Sequence, residues 1–326
     1  MHTTAAVRRA LSTLPLLLLA LLLAACGAAP AAAPTAAPAA ETGSGGEVTV
    51  TPPQGETTVA LNPQRVVVFD YSALDTLDQL GIPVIGVPQA SLPPALAKYR
   101  SDEYANVGTL FEPDYELVNS LKPDLIVAGG RSAAVYPQLA EIAPTIDVTV
   151  DNANFLESYK AANLMLGKIF GKEAEVERRL AAIEESIATL RSVSEESGYT
   201  GLILLTTGGK VNAYGPGSRF GLIHDLMGVR PATDADAIAA ATHGDAVSFE
   251  FIQETNPDIL FVIDRDAAIG EDGEAAAQLL NNELVASTSA WSSGRVIYLD
   301  GGNWYLAPNG LGTFASMIDE VASAFE

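Results

Sequence analysis

The chain is poor in the residues that build crosslinks and metal cages: it has one cysteine and three histidines, one of them His2, in 326 residues. A lone Cys cannot close an internal disulfide, and so few His exclude most imidazole-built metal sites. Positive charge is scarce as well, with 18 basic against 40 acidic residues and a net charge of -22. That balance excludes nucleic acid as a partner, because phosphate binding needs a basic face. Enzyme signatures are missing too. Gly217-Ser218-Arg219-Phe220-Gly221 fails the nucleophile elbow, which needs Ser in the middle. Gly215-x-Gly217-x-x-x-Gly221 misses the dinucleotide spacing, and there is no Walker loop. What is abundant is apolar: 48% of the residues are hydrophobic, which excludes a disordered bulk. The length suits about two domains of roughly 150 residues each.

Arg8-Arg9 precede an apolar run from about Leu14 to Ala25, and Cys26 follows. A positive start and a short apolar core read as a secretory signal over residues 1–25, too short to span a membrane. Leu23-Ala24-Ala25-Cys26 resembles the bacterial lipobox, which implies lipidation of Cys26 and anchoring on the extracytoplasmic face of the membrane. The alternative is an ordinary signal with Cys26 incidental. Residues 26–47 are nearly all Ala, Pro, Thr and Gly and read as a tether that cannot bury enough area to order itself. Losing Arg8 and Arg9 with the signal leaves 16 basic against 40 acidic residues, a net charge of -24.

From Arg65 onward, short β-rich apolar runs alternate with helical stretches, the pattern of mostly parallel sheets covered on both faces. Val66–Phe69, Pro83–Val87 and Arg295–Asp300 read as strands, and Ser72–Leu80 as a helix stopped by Gly81. One segment occurs twice: PDYELVNSLKPDLIVAGGR at 113–131 and VSFEFIQETNPDILFVIDR at 247–265. In each copy an N-cap residue (Asp114, Ser248) is followed by an acid in the first helical turn (Glu116, Glu250), a Pro-Asp, a strand and an Arg. Two related α/β lobes follow, at 48–152 and 198–326. Between them, 153–197 has the three-and-four spacing of a long amphipathic helix, with Gly171 as a place for a break. The expected fold is two similar Rossmann-like lobes joined by a rigid helix.

Arg131 and Arg265 each follow a buried-type strand, and ligands of open α/β sheets bind at that edge. Arg219 lies in a Gly-rich turn leading into an apparent helix, Leu222–Met227, whose N-terminus is a further place for an anion. Each arginine alone reads as a surface residue; together, in so acidic a chain, they read as an anion-binding cluster. His224 reads as a helix residue with local partners, and His243, in a loop beside Gly244, as a residue better placed to reach a ligand. Trp304-Tyr305 in a glycine-rich loop reads equally as pocket lining or as a packed anchor.

These lines, Ala128-Gly129-Gly130-Arg131, Asn212 to Gly221, the His243 loop, Phe261 to Arg265 and Trp304 to Ala307, together resemble bacterial iron–siderophore ABC importer substrate-binding lipoproteins. The resemblance covers about residues 60–326 and is to the class III periplasmic-binding-protein type, in its catecholate and petrobactin-binding subgroup. It implies a non-catalytic, monomeric protein with no resident cofactor, whose ligand is ferric iron inside a siderophore. It implies that Arg131, Arg219 and Arg265 face the anionic complex. It implies that His243 and Tyr305 ligate iron where the siderophore leaves positions open. It also implies that Glu116 and Glu250 dock on arginine pockets of a permease dimer. A ferric tris-catecholate carries about three negative charges, and fixed, always-charged guanidiniums suit it. Phenolate and imidazole suit open iron positions. A haem or cobalamin carrier of the same fold and a purely structural surface lipoprotein are the competing readings.

Overall fold

The computed structural model describes residues 46–234, 238 and 243–326. The signal, Cys26 and the tether through residue 45 lie outside the described residues. The chain enters through an antiparallel hairpin, β1 (Glu47–Val50) and β2 (Thr57–Ala60). Five strands then build the first lobe: β3 (Val66–Val68), β4 (Gly86–Val87), β5 (Ala105–Asn106), β6 (Leu125–Ala128) and β7 (Thr145–Asp147). All pair in parallel, in the order β5-β4-β3-β6-β7. β3 and β6 are buried along their whole length, as continuous Val and Ile runs require in a sheet covered on both faces. Helices α1 (Tyr71–Gln79), α2 (Tyr115–Leu121) and α3 (Tyr136–Ala140) belong to this lobe. The strand expected over 83–87 shortens to Gly86–Val87, since Pro83 has no N–H to give a ladder.

The connecting stretch is not one helix. α4 (Phe155–Ile169) ends before Gly171, and α5 (Glu173–Ser197) resumes after it. Gly171 has φ +63°, a left-handed conformation that interrupts the helix and that glycine adopts without cost. α4 then folds back on α5 closely enough that a Cβ at Gly167 would stand 2.9 Å from Val176. The element that runs on into the second lobe is α5 alone, 25 residues or about 37 Å at ~1.5 Å each.

The second lobe contains β8 (Thr200–Thr207), β9 (Lys210–Tyr214), β10 (Arg230–Pro231), β11 (Asp245–Val247), β12 (Ile259–Asp264) and β13 (Val296–Leu299). Its sheet runs β11-β9-β8-β12-β13, with β10 also on β8. β9 is antiparallel to both neighbours, and the other pairings are parallel. The helices in order are α6 (Leu222–Asp225), α7 (Phe249–Thr255), α8 (Arg265–Ile269), α9 (Ala276–Leu279), α10 (Glu283–Ala286), α11 (Ser289–Ser292) and α12 (Leu311–Ala322).

The internal repeat is real in backbone as well as in letters. Asp114 caps α2 by accepting from Leu117 N, and Ser248 caps α7 by accepting from Phe251 N. Both helices end on a left-handed residue, Lys122 at φ 47°, ψ 59° and Asn256 at φ 45°, ψ 58°, and each is followed by Pro, Asp and a buried parallel strand.

Gly45–Glu326 forms one compact unit, and α12 is one of the elements that hold it together. Although it follows the second sheet, it packs on α1 of the first lobe, on α5 and on β13. Phe314 of α12 meets Phe155 and Tyr159 of α4 at ring distances of 5.2 and 4.8 Å. Asp75, buried on α1, accepts from Gly312 N at 2.7 Å and Thr313 N at 3.1 Å and so caps α12. Thr76 accepts from Leu311 N and donates to Asn163, whose amide donates to Asn309 O. The two lobes are therefore tied by a buried polar network in addition to α5.

Candidate functional site

Parallel sheets place the residue after each strand at one common edge, and that edge carries the arginines. Arg131 follows β6 in a short turn where Gly129 lies so near the 148–149 backbone that a Cβ would meet Thr149 N at 3.1 Å. Gly130, at φ +50°, turns the chain, and its N–H is held by Thr149 Oγ1 at 2.8 Å. Arg265 opens α8 directly after β12, with Asp264 as the cap accepting from Ala267 N. Arg219 sits between Ser218, whose hydroxyl donates to Gly215 O, and the buried Phe220, which stacks edge-on to Tyr214 at 4.7 Å.

All three converge on Tyr305. Its backbone carbonyl accepts from Arg131 Nη2 at 2.8 Å and from Arg219 Nη2 at 2.6 Å. Its phenol oxygen accepts from Arg265 Nε at 3.1 Å. Its ring lies against the same three guanidiniums, with carbon Cζ to ring-centre distances of 4.6, 4.3 and 5.7 Å respectively. Tyr305 is presented by a π-helical turn, Gly302–Leu306, a wound-out geometry that often occurs at functional positions. The turn separates its two aromatics. Trp304 is fully buried and donates from Nε1 to Glu320 at 3.0 Å, while Tyr305 stays partly exposed. Trp304 is thus the anchor and Tyr305 the cluster residue.

Burial alone would push the Tyr305 phenol up. Hydrogen bonding from Arg265, with the charges of Arg131 and Arg219, outweighs it and brings the group down to about 8. Burial, then proximity to Arg131, lowers Arg219. Arg265 is raised, chiefly by its bond to Tyr305, and it alone of the three has ion pairs among the described residues, to Asp266 at 3.2 Å and Glu271 at 3.3 Å. Two cavities of about 430 and 400 Å³ lie along this edge, and only the second is lined by a cluster residue, Arg219. The first is lined by Ser91, Pro94, Arg100, Asp264, Ile269 and Gly302 among others, and the second by Asn152, Asn154, Phe155, Ser218, Arg219 and Leu222 among others.

Other expected features fall differently. The helix at 222–227 shrinks to Leu222–Asp225, and the Gly217 N–H just before it is already taken by Asp225 Oδ2 at 2.8 Å. That turn positions Arg219 and is not itself an anion site. His224 is buried with Nδ1 on Val229 O at 2.8 Å, and burial holds its imidazole below the usual range, so it is structural. His243 takes no part in the arginine contacts. Its side chain is exposed and its carbonyl accepts from Asn212 Nδ2 at 3.4 Å. Glu116 and Glu250 are exposed in the first turns of α2 and α7; its own backbone N–H, then a bond from Ser248, hold the Glu250 carboxyl below its usual range.

Sequence reasoning missed Thr207 and Asp266, which accept from Arg265 Nη1 at 3.2 Å each, and Asp70, half-buried beside Gly130 and Arg131. Burial raises the Asp70 carboxyl despite the N–H bonds of Ala73 and Ser72. The signal for Asp70 was present: an Asp directly after a buried strand and before a helix is a capping position. Among the described residues no three His, Cys, Asp or Glu side chains are grouped as a metal cage.

Known proteins resemble this chain over most of its length. The chain is 46% identical over 272 residues to the petrobactin-binding protein YclQ of Bacillus subtilis, covering 83% of this chain and 85% of that one. The crystal structure of YclQ superposes with a TM-score of 0.82, covering 86% of this chain and 99% of that one. The ferric-anguibactin-binding protein FatB of Vibrio anguillarum is 31% identical, over 83% and 85% of the two chains. The catecholate-siderophore binding protein VctP of Vibrio cholerae is 34% identical with a TM-score of 0.79, over 85% and 100%. Residues 66–301 match the periplasmic binding protein family, and the chain belongs to that extracytoplasmic solute-binding family.

Proposed function

We propose that this chain captures a ferric siderophore of the petrobactin or catecholate class in the cleft between its lobes and delivers it to an ABC import permease. The observation that carries this reading is the convergence of Arg131, Arg219 and Arg265, from both lobes, on one tyrosine. In a chain of net charge -22, three guanidiniums gathered at one edge form a local field that suits a polyanion. Arg131 and Arg219 have no carboxylate within ion-pair distance among the described residues, so their donors are available to an incoming oxyanion at the cost of a carbonyl contact. Tyr305, with a phenol near 8, supplies an oxygen ligand when a tetradentate siderophore leaves iron positions open, and His243 supplies a nitrogen from the rim.

The protein is non-catalytic in this reading, works as a monomer, and holds iron as cargo. The lobes at 48–152 and 198–326 carry the cleft, and residues 153–197 connect them. Cys26 carries the lipid that moors the chain to the membrane through residues 26–47. Glu116 and Glu250 dock on the permease, as acids exposed on matched helices of the two halves.

Titration of the signal-free protein with ferric petrobactin, haem and cobalamin, followed by tryptophan quenching and visible absorbance, tests the ligand class. Tight binding of the ferric catecholate with loss on Arg219→Ala is expected. Preference for haem or cobalamin would shift the assignment to a carrier of those groups, and no binding to any would favour a structural lipoprotein. With a tetradentate ferric catecholate, Tyr305→Phe and His243→Ala each change the charge-transfer band; an unchanged band and affinity would remove direct ligation.

A further inference from the structure

Among the described residues only three large hydrophobic side chains are exposed, and Phe111 is the most exposed at 61%. A lone surface apolar residue is ordinary, but Phe111 is held out by a rigid device. It sits on a tight turn closed by the Gly108–Pro113 bridge and by Thr109 N donating to Glu112 O at 3.0 Å. Thr109 Oγ1 accepts from both Phe111 N, at 3.2 Å, and Glu112 N, at 2.9 Å. Gly108 is required there: its φ is +98°, and a Cβ would lie 2.5 Å from Glu112 O. The far end of the turn joins Asp114, whose N–H bonds Val107 O and whose carboxylate caps α2. The ring is therefore mounted on the same short unit as Glu116, at the C-terminal edge of the first sheet. It lines neither of the two cavities described above.

We infer that Phe111 is the apolar centre of the docking surface for the permease, flanked by the exposed acids Glu112 and Glu116. The inference rests on the docking reading of Glu116 and deepens it. A preorganised aromatic ringed by acids fits a partner surface with an apolar notch beside basic side chains, since rigid aromatics form binding hot spots when their ordering is already done. The internal repeat gives the surface a direction. At the same sequence offset the second half has Asp245, which lies in strand β11 and not on a turn, so the two ends of the docking face differ although both carry the glutamate. A roughly two-fold permease then meets an aromatic at one lobe only, and the orientation of docking is set.

The test uses the signal-free protein, with and without ferric petrobactin, binding to source-cell membrane vesicles that carry the importer. Phe111→Ala is expected to weaken binding on the order of tenfold, with Phe111→Leu between it and the parent and with siderophore affinity unchanged. A benzophenone side chain at 111 is expected to crosslink to the permease subunit, identified by mass spectrometry. If Phe111→Ala changes vesicle binding less than twofold while Glu116→Arg abolishes it, the role of Phe111 is overturned and the docking reading survives. If neither variant weakens binding, both fall. Weaker siderophore binding by Phe111→Ala would place the ring in the cleft and overturn the inference as well.

Discussion

Replacing Arg265 by Gln tests whether the arginine cluster holds Tyr305 in the state that the geometry implies. The Arg265 Nε–H bonds the phenol oxygen at 3.1 Å, and a charge-assisted bond of this kind is worth about 1.5–3 kcal/mol, or roughly one to two pKa units. Tyr305 is partly exposed, and water screens part of that gain, so about one unit is the expected change. The phenol, near 8 in the parent, should then titrate about one unit higher. The assay is phenolate absorbance against pH, with the Tyr305→Phe protein subtracted so that one group is followed. The same group has a stability signature. Its folded value lies below the ordinary value of about 10, so its stabilising contribution is present above pH ~10 and is lost as pH falls through 8. The difference in unfolding free energy between parent and Tyr305→Phe should therefore grow from pH 8 to 10. Subtraction matters because burial raises several other tyrosines, such as Tyr71, Tyr99 and Tyr159, and these act in the opposite sense. A Tyr305 that titrates with the ordinary phenols, or that ignores Arg265→Gln, would refute the electrostatic account of the cluster.

Three further outcomes follow from other contacts. Arg219→Ala should lower affinity for a ferric catecholate about tenfold to a hundredfold, as loss of one charge-assisted contact implies, and titration calorimetry on the folded variant checks it. Asp75→Ala strands the Gly312 and Thr313 N–H groups at the start of α12. It should cost about 1–3 kcal/mol in urea unfolding, and an unchanged midpoint would show that the inter-lobe tie is dispensable. Glu320→Ala removes the acceptor for Trp304 Nε1, Asp300 N and Asn303 Nδ2. It should shift Trp304 fluorescence and weaken ligand binding through the Tyr305 turn, and wild-type affinity would uncouple that turn from the site.

The lobes, the repeat and the three arginines were legible because each is written locally. A buried parallel strand is a continuous apolar run, and the residue that follows it necessarily lies at the sheet edge, so Arg131 and Arg265 could be located from β6 and β12 alone. Gly171 marked the break between α4 and α5 for the same local reason. Tyr305 as the hub was not legible as geometry. Its partners come from three distant loops, and the π-helical turn that sends Trp304 inward and Tyr305 outward has no repeating pattern of its own. The α12 return was hidden too. Nothing near Asp75 in the expected Ser72–Leu80 helix shows that the N-terminus of a helix from the end of the chain lands on it.

That return bears on how the cleft works. Arg131 belongs to the first lobe and Arg219 and Arg265 to the second, yet all three already meet on Tyr305. Four residues after the Tyr305 turn (Ala307–Gly310), the chain enters α12, whose start is held by Asp75 and Thr76 of the first lobe. The segment that collects the arginines is thus bonded to both lobes at once, and Ser91 of the first lobe also donates to Ile269 O of the second at 3.2 Å. A wide hinge motion would have to break this buried polar network as well as bend α5. In the proposed site, an anion would have to exchange only with the Tyr305 carbonyl for two guanidiniums. Under the proposed function, capture is expected to proceed by local replacement at this charge cluster with small lobe displacement, so scattering radii with and without ferric siderophore should differ little.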